Sequence, residues 1–290
     1  MTRAKRIRIV SDFDGVFTNQ DAEAAAVGAF QLSTVAGAVG DADAAREQVE
    51  AARAWVRSHP GTAGWVSAGV LTCYADEDPY VFHEAVAERL YATAPRDVRE
   101  ALAARGHLDH EVFATHCFHN GTEGWRNENP THLEPDAVGA LRELLAEGVE
   151  VVVVSNSSTH RVESILTDRG TADFGPGLRL RGSAKKYVVT PDRPEAVPEA
   201  AQFGGRRVRL RRGIYFDILQ EEKPDVLIGD VLSLDLSLPH ALSRAADWAK
   251  GMTLVIRRAR HTPGWVLDGC GEAGIRVVES FAELPELVRR

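Results

Sequence analysis

The sequence predicts a doubly wound α/β fold: a Rossmann-like parallel sheet with helices on both faces, carrying a mostly helical insertion after its first strand. Three observations predict it. Short β-branched runs recur along the chain, helical patterns separate most of them, and one long stretch rich in Ala, Glu and Arg breaks the alternation. The first run, Ile7-Arg8-Ile9-Val10, reads as a buried strand, and Gly15 follows where the backbone must turn sharply. Further strands are expected at residues 149–154, 208–212, 225–228 and 253–256, with another at 275–278. Helical patterns at 136–147, 160–169 and 214–221 lie between them. In such a sheet, ligands bind beyond the carboxyl ends of the strands.

Residues 20–105 have a different character, with helical runs at 41–57, 80–92 and 96–105. Breaks are expected at Ser58-His59-Pro60-Gly61 and from Gly121 to Pro130. Residues 1–18 and 133–290 therefore form the predicted sheet domain, and 19–132 the predicted helical insertion.

The 290 residues provide ample chain for a buried core, and the apolar and charged fractions are those of an ordinary globular protein. A net charge of −8 argues against nonspecific nucleic-acid binding but leaves anionic substrates open, because a metal and a local basic cluster can reverse the sign inside a pocket. Cys73, Cys117 and Cys270 are too few and scattered for a disulfide framework, and no Cys-x-x-Cys pair occurs. The start is basic, but its apolar run breaks at Asp12, too early for a signal peptide, and no stretch reads as membrane-spanning. A cytoplasmic, reduced protein is expected, with no membrane partner.

Asp12 and Asp14, in Ser11-Asp12-Phe13-Asp14-Gly15-Val16-Phe17-Thr18, end the first strand. Residues two apart on a strand share a face, so both carboxylates can reach one pocket, where a cation or shared proton must relieve their repulsion. An EF-hand loop would need Gly where Phe17 stands. The second strand ends in Ser155-Asn156, which reads either as a helix N-cap or as a phosphate cradle. A later strand ends in Gly229-Asp230, with Asp235 five residues on. Such acids suit Mg²⁺, a hard cation that favours a few carboxylates and phosphate oxygens.

Asp-x-Asp-Gly after strand one, Ser after strand two and Gly-Asp-x-x-x-x-Asp after a late strand together resemble the haloacid dehalogenase-like hydrolase superfamily, in its C1-capped phosphatase branch. Asp12 and Asp14 match its first motif, Ser155 its second, and Asp230 with Asp235 its fourth. The resemblance covers the sheet domain, and the insertion sits where that family places its C1 cap. It implies a Mg²⁺-dependent phosphatase acting on a small phosphorylated metabolite. Asp12 would be the nucleophile and Asp14 the general acid and base. Asp12, the Asp14 carbonyl and Asp230 would hold the metal, with Asp235 supporting them. Ser155, Asn156 and a basic residue would hold the phosphoryl oxygens, and the cap would exclude water and select the substrate. A phosphomutase or phosphotransferase shares the first half-reaction. A non-catalytic binding protein that kept the fold is the alternative from another class.

The family's third motif is a basic residue, and Lys223-Pro224 is the tempting match. Strand direction argues against it, because Lys223 precedes the strand that ends at Asp230, roughly 15–20 Å from the acids at ~3.3 Å per residue. The helix feeding that strand must descend, which places Arg212 at the active edge and makes it the first choice. Lys186 and Lys185 are the next candidates. Alternating Arg207, Arg209 and Arg211, with Arg179, Arg181 and Arg206 nearby, read as solvated strand faces. His59, His83, His107, His110, His116, His119 and His132 read as structural, since His116 and His119 lack a second ligand pair for zinc. Trp55, Trp65 and Trp125 read as packing residues before pocket residues.

Overall fold

The computed structural model describes residues 6–129, 133–167 and 174–289; Met1–Lys5, His132 and the 168–169 end of the expected second-strand helix lie outside them. The chain divides into two compact units, Met1–Asn19 with Thr131–Arg290, and Gln20–Pro130.

The larger unit is built on six parallel strands: β1 (Arg8–Ser11), β2 (Glu150–Val154), β3 (Leu178–Arg181), β4 (Val226–Gly229), β5 (Thr253–Arg257) and β6 (Arg276–Val278). Their spatial order is β6-β5-β4-β1-β2-β3. The chain moves outward from β1 through β2 to β3, then returns to the other side of β1 and moves outward through β4 to β6. The order therefore reverses between β1 and β4, where a doubly wound sheet opens its binding crevice. Ile9 pairs with Val151 on one side and Val226 on the other. Central parallel strands are covered on both faces, which is why 151–154 is an unbroken run of buried valine. Phe13 and Phe17 point from the turn after β1 into this core, where Phe17 packs on Phe281 at 4.7 Å between ring centroids.

Two expectations for this unit need correction. The third strand of the sheet is Leu178–Arg181, hidden in the sequence because Arg179 and Arg181 alternate with Leu178 and Leu180. Those arginines reach to Glu222 and Glu221 on the helix Gly213–Glu222. The run expected at 208–212 instead contributes to an antiparallel hairpin, Ala200–Phe203 with Arg206–Arg209. Gly204 and Gly205 turn it with φ of 50° and 80°, the left-handed pair of a two-residue hairpin. The solvated-face reading fits its arginines: Arg209 pairs with Glu199, and Arg206 lies 4.6 Å over the Trp265 ring.

The inserted unit contains helices Gln20–Val39, Ala42–Ser58, Pro79–Thr93, Arg96–Ala103 and His110–Glu128, with a hairpin of Gly64–Ser67 and Val70–Tyr74. Asp41, Asp78 and Asp109 cap three of the helices by accepting backbone N–H groups, and Pro79 takes the first-turn position that needs no donor. The break expected at Gly121 is absent. Gly121 lies inside a helix, where an added Cβ would stand 2.7 Å from Val27 Cα, so the residue permits a close helix crossing. Helix Gln20–Val39 is, by length and composition alone, long and apolar enough to cross a membrane, a stretch the sequence reading did not single out. It also carries buried Glu23, paired with Arg126 at 2.5 Å, and packs Val27 and Val35 into the unit's core. The histidines act in packing here: His107 and His116 approach to 4.7 Å between centroids, and burial pushes His83 down to about 3. Trp55 lies between the His59 ring and the Arg89 guanidinium.

Candidate active site

Four loops leave the carboxyl ends of β1, β2, β3 and β4, and each delivers part of one constellation. After β1, the Asp12 N–H donates to Ile228 O at 2.9 Å, extending the strand pairing by one residue. Gly15 then turns the chain at φ 75°, its N–H donating to Thr18 Oγ1 and its carbonyl accepting Arg257 Nη1 at 2.6 Å. After β2, Ser155 Oγ accepts the Ser157 N–H at 3.0 Å. The hydroxyls of Ser155 and Ser157 both lie 3.4 Å from Asp14 Oδ2.

The loop after β3 supplies the cation. Gly182 packs so tightly on the Ser158–Thr159 backbone that an added Cβ would stand 2.0 Å from Thr159 N. Ser183 and Lys185 then hold left-handed backbone at φ 54° and 46°, uncommon for residues with a Cβ and costly enough to need support. That support comes from the β2 loop: Ser183 N–H donates to Ser157 O, Ala184 N–H to Ser155 O, and Lys186 N–H to Asn156 Oδ1. The result is a buried Lys186, 1 % exposed, whose Nζ lies 2.6 Å from Asp12 Oδ1 and 2.8 Å from Asp235 Oδ1.

After β4, Asp230 is followed by a widened π-type turn over Leu232–Leu236. Within it, Asp235 Oδ2 accepts the Val231 N–H at 3.0 Å and the Asp235 carbonyl accepts the Tyr215 hydroxyl. Gly229 makes this turn possible, since an added Cβ would stand 2.4 Å from Asp235 Cβ. Asp12, Asp230 and Asp235 each offer a carboxylate oxygen, all within 4.8 Å of one another. Burial pushes Asp12 up to about 8; Lys186 pulls it down, while Asp235 and Asp14 push it up. Burial also opposes the charge on Lys186, but Asp12 and Asp235 outweigh it and hold the ammonium above its ordinary range. One ammonium thus leaves the carboxylates underneutralised. Three converging hard oxygen donors fit a small divalent cation such as Mg²⁺.

Arg212, the cation expected from the sequence, has another role. Its side chain is fully buried and donates to two backbone carbonyls, Lys186 O and, at 2.8 Å, Ser233 O. It ties the lysine loop to the turn after β4, while Lys186 faces Asp12. Strand direction did place Arg212 near the active edge, but it could not reveal that the guanidinium faces inward. Lys185 is exposed, and Lys223 ends the helix Gly213–Glu222 at the opposite edge. Asn156, expected on phosphate, accepts from the Lys186 backbone, and the Asp14 carboxylate faces the serines. The sequence reading missed the parts played by Gly182, Tyr215 and Arg257, and it placed Gly229 at the strand end without seeing that the turn after it needs a residue with no Cβ. The alternating Leu-Arg-Leu-Arg before Gly182 was the available signal for the lysine loop.

No protein-family model matches the chain, and no curated protein matches it in sequence. Solved structures do match over nearly its whole length. A 2-haloacid dehalogenase from Pseudomonas syringae pv. Tomato is 18 % identical, covers 99 % of each chain and has a TM-score of 0.47. A HAD phosphatase from Thermococcus onnurineus is 14 % identical, with 98 % of each chain covered and a TM-score of 0.46. A haloacid dehalogenase-like family hydrolase from Streptococcus pneumoniae is 10 % identical, with 98 % of each chain covered and a TM-score of 0.42.

Proposed function

We propose that the protein is a Mg²⁺-dependent phosphatase of the haloacid dehalogenase-like type, acting on a small phosphorylated metabolite through an aspartyl-phosphate. The observation that carries this reading is Lys186 Nζ, within 2.8 Å of both Asp12 and Asp235, while Asp14 faces two serine hydroxyls. Asp12 attacks phosphorus, and the P–O bond to the leaving alcohol breaks as Asp14 gives that oxygen a proton. Asp14 then takes a proton from water, which attacks the aspartyl-phosphate, releases inorganic phosphate and restores Asp12. Lys186 holds Asp12 in place and, with Ser155, offers donors to the phosphoryl oxygens. Asp12, the Asp14 carbonyl and Asp230 would hold Mg²⁺, with Asp235 orienting them, and the ion would supply positive charge to offset that of the nucleophile and the phosphoryl group.

Asp14 favours phosphatase over dehalogenase chemistry. Halide leaves without a proton, whereas an alkoxide needs one. A phosphomutase would share every residue named here and differ only in its acceptor. On this reading residues 20–130 act as the cap domain, and the protein is cytoplasmic, with neither nucleic acid nor membrane as a partner. Hydrolysis of p-nitrophenyl phosphate with Mg²⁺, and its loss in EDTA, is the expected result; equal rates in both would refute metal dependence.

A further inference from the structure

The Lys223-Pro224-Asp225 segment has no part in the proposed chemistry, yet it lines a pocket of about 470 Å³ at the amino-terminal edge of the sheet. Its walls are the residues that enter β1, β2, β4 and β5, and its volume lies in the range of about 300–1,000 Å³ typical of small-molecule sites. The lining carries four cationic side chains, Arg6, Arg8, Lys223 and Lys250, against two carboxylates, Glu150 and Asp225. In a chain with a net charge of −8, that local excess is notable.

The carboxylates are already engaged. Glu150 Oε2 accepts Arg8 Nε at 3.0 Å and Nη2 at 2.7 Å, and Arg8 holds it below the usual carboxylate range. Asp225 Oδ2 accepts the Arg8 N–H at 2.9 Å. Lys223 forms no ion pair among the described residues, and Lys250 reaches only the exposed Asp247. The remaining wall is Trp248, half-buried and with no ring or cation stacked on it among the described residues, whereas Trp55 and Trp265 both have such partners. A half-buried indole beside the Lys223 ammonium, and beside Lys250, which only an exposed surface acid holds, suits a planar ring carrying a dianion.

We infer that this pocket is a second ligand site, distinct from the Asp12 centre, for an aromatic phosphate of the nucleoside monophosphate class. The ring stacks on Trp248, and the phosphate draws on Lys223, Lys250 and Arg6. The inference does not rest on the proposed phosphatase activity, because the two sites lie at opposite edges of the sheet.

The test is equilibrium titration of the full chain with adenosine 5′-monophosphate in EDTA, followed by tryptophan fluorescence, beside titrations with adenosine and with inorganic phosphate. A saturable quench is expected, absent in W248F and weakened on the order of tenfold by K223A and again by K250A. Both lysines are exposed, so neither variant threatens the fold. Adenosine and phosphate should each bind more weakly than the nucleotide. No saturation, a quench that persists in W248F, or unchanged affinity in K223A/K250A overturns the inference. Binding at the Asp12 centre would give the last two outcomes. Turnover is not read, so failure here leaves the phosphatase proposal standing.

Discussion

The two edges of the sheet use charge in opposite ways. At the carboxyl edge, Lys186, Arg212, Asp230 and Asp235 are all at most 2 % exposed, and Lys186 pairs with Asp235 while Arg212 donates to the loops that carry both. At the amino edge, Arg6, Lys223 and Lys250 are exposed and held loosely or by a surface acid. Lys185 and Lys223 even share the same φ of 46°. At Lys185 that left-handed residue turns a loop to deliver its neighbour Lys186 to Asp12; at Lys223 it merely ends a helix. The dihedral and the residue type are the same. What differs is which end of a strand the loop serves, and hence whether the ammonium is desolvated among carboxylates.

The largest expected effect at the carboxyl edge is the loss of the nucleophile. Asp12→Asn should leave less than about one per cent of wild-type turnover, because no covalent intermediate can form. Circular dichroism should show the fold retained, since Asp12 is a strand-end residue outside the apolar core. Lys186→Met comes next. It removes the donor that contacts both Asp12 and Asp235, and kcat/KM should fall on the order of 10²-fold or more. A milder loss in K186M than in K185A would mean that the wrong lysine had been assigned.

These predictions draw on parts of the chain that were unequally legible. The six strands, except β3, announce themselves as apolar β-branched runs, and the acids sit directly after them, so Asp12, Asp14, Ser155 and Asp230 could be located by strand ends alone. Lys186 could not. It depends on β3, whose arginines resemble a solvated face until their partners Glu221 and Glu222 are seen. Direction along the sheet correctly excluded Lys223 from the acids' edge but could not distinguish Arg212 from Lys186, because both reach that edge and only side-chain orientation separates them. In the inserted unit, Gly121 looked like a break because the sequence does not show that Val27 packs against it.

Metal binding should separate the two acids after β4. Asp235 has both oxygens engaged, by Lys186 Nζ and the Val231 N–H, so it orients its neighbours more than it donates to a cation. Calorimetric Mg²⁺ titration should therefore show a larger loss of affinity in Asp230→Ala than in Asp235→Ala. The reverse order would exchange their roles. Gly229→Ala tests the same turn through packing alone: its Cβ would strike Asp235 Cβ, and overpacking of this kind costs about 1–3 kcal/mol. Thermal unfolding should shift down, and Mg²⁺ affinity should fall with it. Gly251→Ala, at the amino edge, meets nothing within 4 Å, so it bears only the cost of left-handed backbone, about 1–2 kcal/mol, with Mg²⁺ affinity unchanged.

The smallest effect is expected at Lys223, and it tests the comparison of edges most directly. The Lys-Pro pair is what a motif search would choose as the phosphate-side cation. Yet β4 runs from Val226 to Gly229 between Lys223 and Asp230, and at ~3.3 Å per residue that span keeps the two termini well beyond contact. Lys223 shares its pocket with Arg6, Arg8 and Glu150, all at or beside strand starts, and its exposed ammonium is separated from Asp12 by the buried length of β4. Lys223→Ala should therefore leave kcat/KM on p-nitrophenyl phosphate within about twofold of wild type, while Lys186→Met does not. A loss in K223A that matches K186M would mean that the amino edge takes part in the chemistry, and the division of labour between the two edges would fail.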